Sequence, residues 1–257
     1  MSSKNKKSIS FGTSCMGRVN HIEQTYIGNI ETALDQDPDT KFVLLNYNSQ
    51  DGLDKWVSDN LKKYINNGTV KYLKNTTATE FSQARTKNIT LKNGIHDIVC
   101  NLDADNSLTT RYMKKILRVW SDDTCRVGGN KGDVTEDDLV VSCPMPHVWG
   151  RLTMYRKTLI KLGGFDEQMR GWGGEDIDFI DRHKAMYKRG IRFMYHQGSH
   201  DIKNREVFVD IVGEEPTGEI TNHEECRNGI NKETSKKNIE NGLLVANLNV
   251  KWGCVDD

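Results

Sequence analysis

The run Asp97-Ile98-Val99-Cys100-Asn101-Leu102-Asp103-Ala104-Asp105-Asn106 decides the fold. Its first part is a continuous apolar strand from Asp97 to Leu102, the pattern expected when helices cover both faces of a sheet. Its second part sets two carboxylates two residues apart, directly beyond the strand. In open α/β sheets, ligands collect outside the carboxyl ends of the strands. On an extended chain Asp103 and Asp105 would face the same side and could share one divalent cation. Hard oxygen donors of this kind suit magnesium or manganese. A solvated acidic turn is the competing reading, and the position after a series of buried strands favours the metal.

Working outward, the flanking sequence alternates between two periods. Ser8–Ser14 reads as a short strand opening into Gly17. From Ile22 to Leu34, apolar residues recur at three- and four-residue steps, marking an amphipathic helix. Lys41–Asn46 is a second apolar strand. Leu53, Trp56, Val57, Leu61, Tyr64 and Ile65 form a helical stripe stopped at Asn67-Gly68. Thr69–Leu73 reads as strand and Glu80–Leu91 as helix. This rhythm predicts a mostly parallel, Rossmann-like α/β sheet covered by helices. Further on, the spacing predicts a helix over Tyr112–Trp120, a loop over 121–138, and strands at Leu139–Cys143, Leu152–Tyr155 and Arg192–Tyr195. Two more helices are expected, over about 176–188 and 230–241.

A second concentration of chemistry is Leu162-Gly163-Gly164-Phe165-Asp166-Glu167, followed by Gly171-Trp172-Gly173-Gly174-Glu175-Asp176-Ile177-Asp178. Gly171, Gly173 and Gly174 around Trp172 join a pliant backbone to a large flat surface, a common way to hold a sugar ring. Glu175 and Asp176 would open a helix, whose dipole favours their ionised forms. Acidic capping of a helix that packs a Trp is the plainer reading, and it leaves the glycine clustering unexplained.

With these residues in hand, the sequence resembles the GT-A glycosyltransferases. It is similar to inverting family-2-like enzymes in its first part and to the C-terminal part of β-1,4-galactosyltransferases in its later half. The carrying residues are Arg18, Phe81-x-x-x-Arg85-x-x-Asn88, the D-A-D at Asp103–Asp105 and the G-W-G-G-E-D at Gly171–Asp176. The resemblance implies a GT-A domain over 1–206, with a nucleotide-binding half at about 8–106 and an acceptor half at about 107–206. A C-terminal extension would occupy 207–257. It further implies that Asp103, Asp105 and His200 hold the manganese (or magnesium) of a UDP-sugar, with His196 the other histidine to consider. Arg18, Asn46, Asn48, Arg85, Asp103 and Ala104 would line the nucleotide. Trp172, Gly173, Gly174, Glu175 and Arg151 would meet the sugars. Asp176 would be the general base, with Asp178 next in line. Two positions depart from the family: Asn46-Tyr47-Asn48 stands where many members carry Asp, and Arg170 stands where a second Trp is usual.

Composition narrows the alternatives. The chain of 257 residues carries 36 Lys and Arg against 36 Asp and Glu, so no net charge drives it toward nucleic acid or an anionic membrane. The longest aliphatic runs, such as Phe42–Leu45, are too short to span a bilayer. The basic, polar start has no apolar stretch behind it, and six scattered cysteines form no C-x-x-C pair. Both features predict a reducing, cytoplasmic setting. The expected partners are therefore a UDP-sugar donor and a glycan or other hydroxyl acceptor, without nucleic acid or a transmembrane segment. The alternatives are a metal-dependent nucleotidyltransferase and an inactive carbohydrate-binding protein. The first would need a glycine-rich phosphate loop after the first strand, of which Gly12–Arg18 is a thin version.

Overall fold

The computed structural model describes residues 7–121, 134–141, 151–169, 173–188, 192–194, 202–203 and 229–256. In chain order these form β1 (Ile9–Cys15), α1 (Val19–Gln36), β2 (Lys41–Tyr47), α2 (Leu53–Asn60), α3 (Lys62–Asn66), β3 (Val70–Asn75), α4 (Gln83–Lys92) and β4 (Ile98–Asn101). There follow β5 (Ser107–Leu108), α5 (Thr110–Ser121), β6 (Leu139–Val141), β7 (Leu152–Tyr155), α6 (Arg156–Lys161), α7 (Glu175–Tyr187), β8 (Arg192–Phe193), β9 (Ile202–Lys203) and an eleven-residue α8 (Ile230–Glu240).

Seven strands form one sheet in the order β3-β2-β1-β4-β7-β6-β8, and β5 pairs with β9 in a separate ribbon. Within the seven-stranded sheet β7 alone runs against its neighbours β4 and β6 and the other pairings are parallel, while β5 and β9 pair antiparallel. The expected helix-covered, mostly parallel sheet is therefore present. One face is buried under α1, α2 and α5, through Phe11, Phe42, Ile22, Ile30, Tyr112 and Ile116. The core beneath α4, α6 and α7 joins Leu91, Val99, Met154, Phe165 and Phe179.

Several boundaries differ from the periodic reading, each for a local reason. The stripe from Leu53 to Ile65 is two helices, broken at Leu61. α4 begins at Gln83 rather than Glu80 because the Ser82 hydroxyl caps it by accepting from the Arg85 amide. β5, α6 and β9 are two to six residues long, too short to display a period.

Residues 229–256, within the stretch expected as an extension, are hydrogen-bonded into the domain. The Ala246 amide donates to the Leu162 carbonyl. The Asn247 amide side chain donates to the Gly163 and Phe165 carbonyls at 2.8 and 2.6 Å. The Lys92 ammonium reaches the Trp252 carbonyl at 2.6 Å and lies 4.2 Å from the centre of its ring. This contact accounts for part of the glycine clustering. Gly163 and Gly164 adopt φ of 69° and 75°, a region that costs other residues roughly 1–2 kcal/mol. A Cβ on Gly163 would also lie 2.0 Å from the Ala246 carbonyl oxygen.

Gly163→Ala should therefore lower stability by more than about 2 kcal/mol, read as a reduced denaturation midpoint. An unchanged midpoint would mean that the C-terminal segment does not seat against this turn.

Candidate active site

The carboxyl ends of β1, β2, β3 and β4 gather one edge of chemistry. The D-x-D turn is held there from beneath by α1. The Thr25 hydroxyl donates to the Ala104 carbonyl at 2.7 Å. The Asn29 side chain donates to the Asn106 carbonyl at 2.7 Å and accepts the Leu108 amide at 2.6 Å. Thus Ala104 contributes its main chain to the turn while its side chain is buried.

This geometry corrects the idea of one extended run. β4 ends at Asn101 and the chain turns back on itself, with the Asn106 amide bonded to the Asp103 carbonyl at 3.1 Å. The two carboxylates consequently occupy different surroundings. Asp103 is exposed and accepts from the Asn101 side chain at 3.0 Å. Asp105 is buried, 3.7 Å from the Arg18 guanidinium, and accepts from the Asn106 side chain at 2.7 Å. The buried Arg151 donates in turn to the Asn106 side chain. Arg18, Asp105, Asn106 and Arg151 form one polar chain that ties β1, the turn and β7 together.

Asn46 and Asn48 lie on the same edge. Asn46 is fully engaged: it donates to Asp54 at 2.9 Å and accepts the Ser49 amide at 2.7 Å. Asp54, held by Lys74, Tyr72 and Asn46, has its carboxyl below the usual range. Asn48, at φ 53°, donates to the Ala78 carbonyl at 2.7 Å. The loops after β1 and β2 are latched by Ser49 and Asp51, which accept the Gly17 and Val19 amides at 2.7 Å each. Arg85 is half-buried in the first turn of α4 on this edge.

Gly12 does not belong to a phosphate loop. It lies inside β1, where a Cβ would come within 2.8 Å of Thr90 on α4. The glycine allows a helix to approach the sheet, which removes the feature that a nucleotidyltransferase would need here.

The second acid cluster opens α7. Gly174, at φ 95°, precedes the helix, and Glu175, Asp176 and Asp178 all fall in its first turn. Their roles are separated by burial. Asp178 is fully buried and bonded to the Arg182 guanidinium at 2.7 Å, so it is closed to an acceptor. The same guanidinium donates to the Leu162 and Gly164 carbonyls at 2.8 and 2.9 Å. Glu175 is 4% exposed and is bonded at 2.6 Å to Lys87, itself 6% exposed. That burial withdraws Glu175 from direct sugar contact. Asp176 remains half-buried. Burial, then the charge of Glu175, pushes its carboxyl above the usual range, while Lys87 opposes both.

Lys87 is the residue that sequence reading passed over. Burial works against its charge, yet Glu175, then Asp176 and Asp103, outweigh this and hold it up at about 12. Its signal was present: Ala84, Lys87, Asn88 and Leu91 follow helical spacing and are all buried, so a lysine stands on the inner stripe of α4. Asn88, on the same stripe, bonds both main-chain groups of Phe165.

Trp172, His196 and His200 lie outside the described residues. Among the described residues, no three His, Cys, Asp or Glu side chains cluster as a metal site. The donor set fits a divalent cation nonetheless, because magnesium-type ions are bound through one or two carboxylates plus substrate phosphates. The exposed carboxylate of Asp103 supplies such a donor, with Asp105 next to it. No helix among the described residues is long and apolar enough to cross a membrane.

Comparison with known proteins agrees with this architecture. Residues 133–203 match the family model described as the N-terminal domain of galactosyltransferase. A search of curated protein sequences finds no match. Among solved structures, the chain is similar to the mannosyltransferase PcManGT from Pyrobaculum calidifontis in complex with GDP-Man and Mn2+. That likeness has a TM-score of 0.54 at 17% identity, over 75% of this chain and 55% of that one. It is also similar to S. aureus TarS 1–349, at TM-score 0.52 and 14% identity over 72% and 57% of the two chains. GalNAc-T7 with UDP, GalNAc and Mn2+ matches at TM-score 0.52 and 16% identity, over 74% and 43%. This chain thus spans little more than half the length of the first two, and less of the third. The fold is that of the GT-A glycosyltransferases.

The buried pair at the start of α7 has a measurable consequence. Arg182→Met would strand the Asp178 carboxylate and should cost about 3–5 kcal/mol at neutral pH. Burial already raises the Asp178 carboxyl. A raised acid loses stability as pH climbs, so the deficit should shrink as pH falls and Asp178 takes up a proton. Denaturation at several pH values would read this, and a pH-independent deficit would count against it.

Proposed function

We propose that this chain is a metal-dependent glycosyltransferase that moves a hexose of galactose, N-acetylgalactosamine or glucose type from a UDP-sugar to an acceptor hydroxyl, with inversion. One observation carries the reading. The D-x-D turn and the acidic start of α7, 72 residues apart from Asp103 to Glu175, both act by their charge on one buried lysine, which is bonded to Glu175 at 2.6 Å. Two of the similar structures hold a nucleotide or nucleotide sugar together with Mn2+, which supports a donor of this class. One holds GDP-Man and the other UDP, so the choice of UDP rests on the sequence resemblance.

The chemistry follows from the parts. Asp103 and Asp105, with His200 as third donor, would hold a divalent ion, which would supply charge neutralisation to the diphosphate leaving group. Arg18 and Arg85 add positive charge on the nucleotide side. Asn48 and the Ala104 main chain shape that pocket, while Asn46 and its partner Asp54 hold the wall rather than read the base. Arg151 supports the turn from behind. On the acceptor side, Trp172 offers a ring face, and Gly173 and Gly174 bring the backbone close. Asp176, partly open and with a carboxyl above the usual range, takes the proton of the attacking hydroxyl. A single displacement opposite the diphosphate inverts the anomeric carbon.

UDP release from UDP-Gal, UDP-GalNAc, UDP-Glc and UDP-GlcNAc, with and without manganese, tests the class. Metal-dependent release from one of the four is expected; none, with any metal, would overturn the proposal. By calorimetry, Asp103→Ala should abolish metal-dependent UDP binding. Asp176→Asn should bind manganese and UDP normally yet transfer roughly a hundred- to ten-thousand-fold more slowly. Near-normal turnover in that variant would move the base elsewhere.

A further inference from the structure

The mechanism above assigns no step to Lys87. Lys87 is a buried lysine, and a buried ammonium is costly unless it is paired. Its nitrogen lies 2.6 Å from a Glu175 carboxylate oxygen, and 5.4 Å from the centre of the Phe165 ring. The groups whose charges act on it are Glu175 and Asp176 from α7 and Asp103 from the turn after β4. α4 and α7 are otherwise joined here through the 162–167 turn, so this ion pair is a direct link between the donor and acceptor halves.

The arrangement separates two neighbours in sequence. Consecutive helical residues project about 100° apart. One carboxylate therefore reaches inward to the ammonium, and the other stays at the surface of the cleft. We propose that Lys87 is a positioning residue: by clamping Glu175 to α4 as a fixed anion, it aims the first turn of α7 and leaves Asp176 as the carboxylate that meets the acceptor. This rests on the reading of Asp176 as the base. A buried ion pair kept only for stability would predict something else, since such pairs are often replaceable by apolar groups without loss.

The experiment compares Lys87→Met, Lys87→Arg and Glu175→Gln, the last close to isosteric and expected to fold. The 13C carboxyl resonance that vanishes in Asp176→Asn identifies Asp176, and its titration is followed in each variant without any need for turnover. Removing the cation should move that titration up by about one pH unit or more, and removing the anion of Glu175 should move it down. Lys87→Arg should keep it near wild type. The acid limb of UDP release, measured with manganese saturating and the fastest donor of the four, should move in the same directions. On that limb a shift of one unit lowers the rate about tenfold at fixed pH. Lower thermal stability in Lys87→Met with an unmoved Asp176 titration would reduce Lys87 to a structural pair and overturn the proposal. If instead the titrations shift as expected while Asp176→Asn turns over normally, the clamp stands and the assignment of the base fails.

Discussion

The Asn88 side chain accepts the Phe165 amide at 2.7 Å and donates to the Phe165 carbonyl at 2.9 Å, satisfying both main-chain groups of a buried residue at once. Much of the molecule depends on that pair of bonds. α4 packs on β1, β2 and β4, and Phe165 belongs to the turn that leads toward α7. The turn is then held from two further sides. Arg182 takes the Leu162 and Gly164 carbonyls from α7, and Asn247 takes the Gly163 and Phe165 carbonyls from the C-terminal segment. Buried main-chain groups without partners cost about 1–3 kcal/mol each. A turn that exposes so many of them inward can persist only where side chains from several elements converge.

The same economy governs charge. Glu175, Asp176 and Asp178 share one helical turn, yet each has a different fate. Asp178 is spent on Arg182, Glu175 on Lys87, and Asp176 remains half-buried. A helix start favours carboxylates generally, so the dipole cannot distinguish them; the partners on α4 and one turn along α7 do. In the turn after β4, Asp103 and Asp105 are likewise divided by surroundings, one exposed and one bound to Arg18 and Asn106. Acidic motifs that look symmetric in sequence become asymmetric once the chain is folded.

This also explains which features were legible beforehand. The parallel β/α succession could be read because long apolar strands and amphipathic helices impress their period on the chain: Phe42–Leu45 and Ile22–Leu34 are unambiguous. The acids at Asp103–Asp105 and Glu175–Asp176 stood out because they follow a buried strand or a glycine cluster. β5, β9 and α6 carry no period at their length. The antiparallel direction of β7 was invisible, since a buried strand reads alike in either direction.

What the sequence determined by itself was the layered α/β class and the two places where acids gather, because periodicity and strand-end position are local properties. Only tertiary structure decided that Lys87 pairs with Glu175, that Asp105 answers to Arg18, and that Asn46 is consumed by Asp54. It also decided that Gly163 is required by the approach of Ala246, 83 residues further on. Each of these is a pairing between groups distant in the chain. Side-chain type announces that a partner is needed, but not which one; burial makes the choice, by penalising every arrangement that leaves a polar group alone.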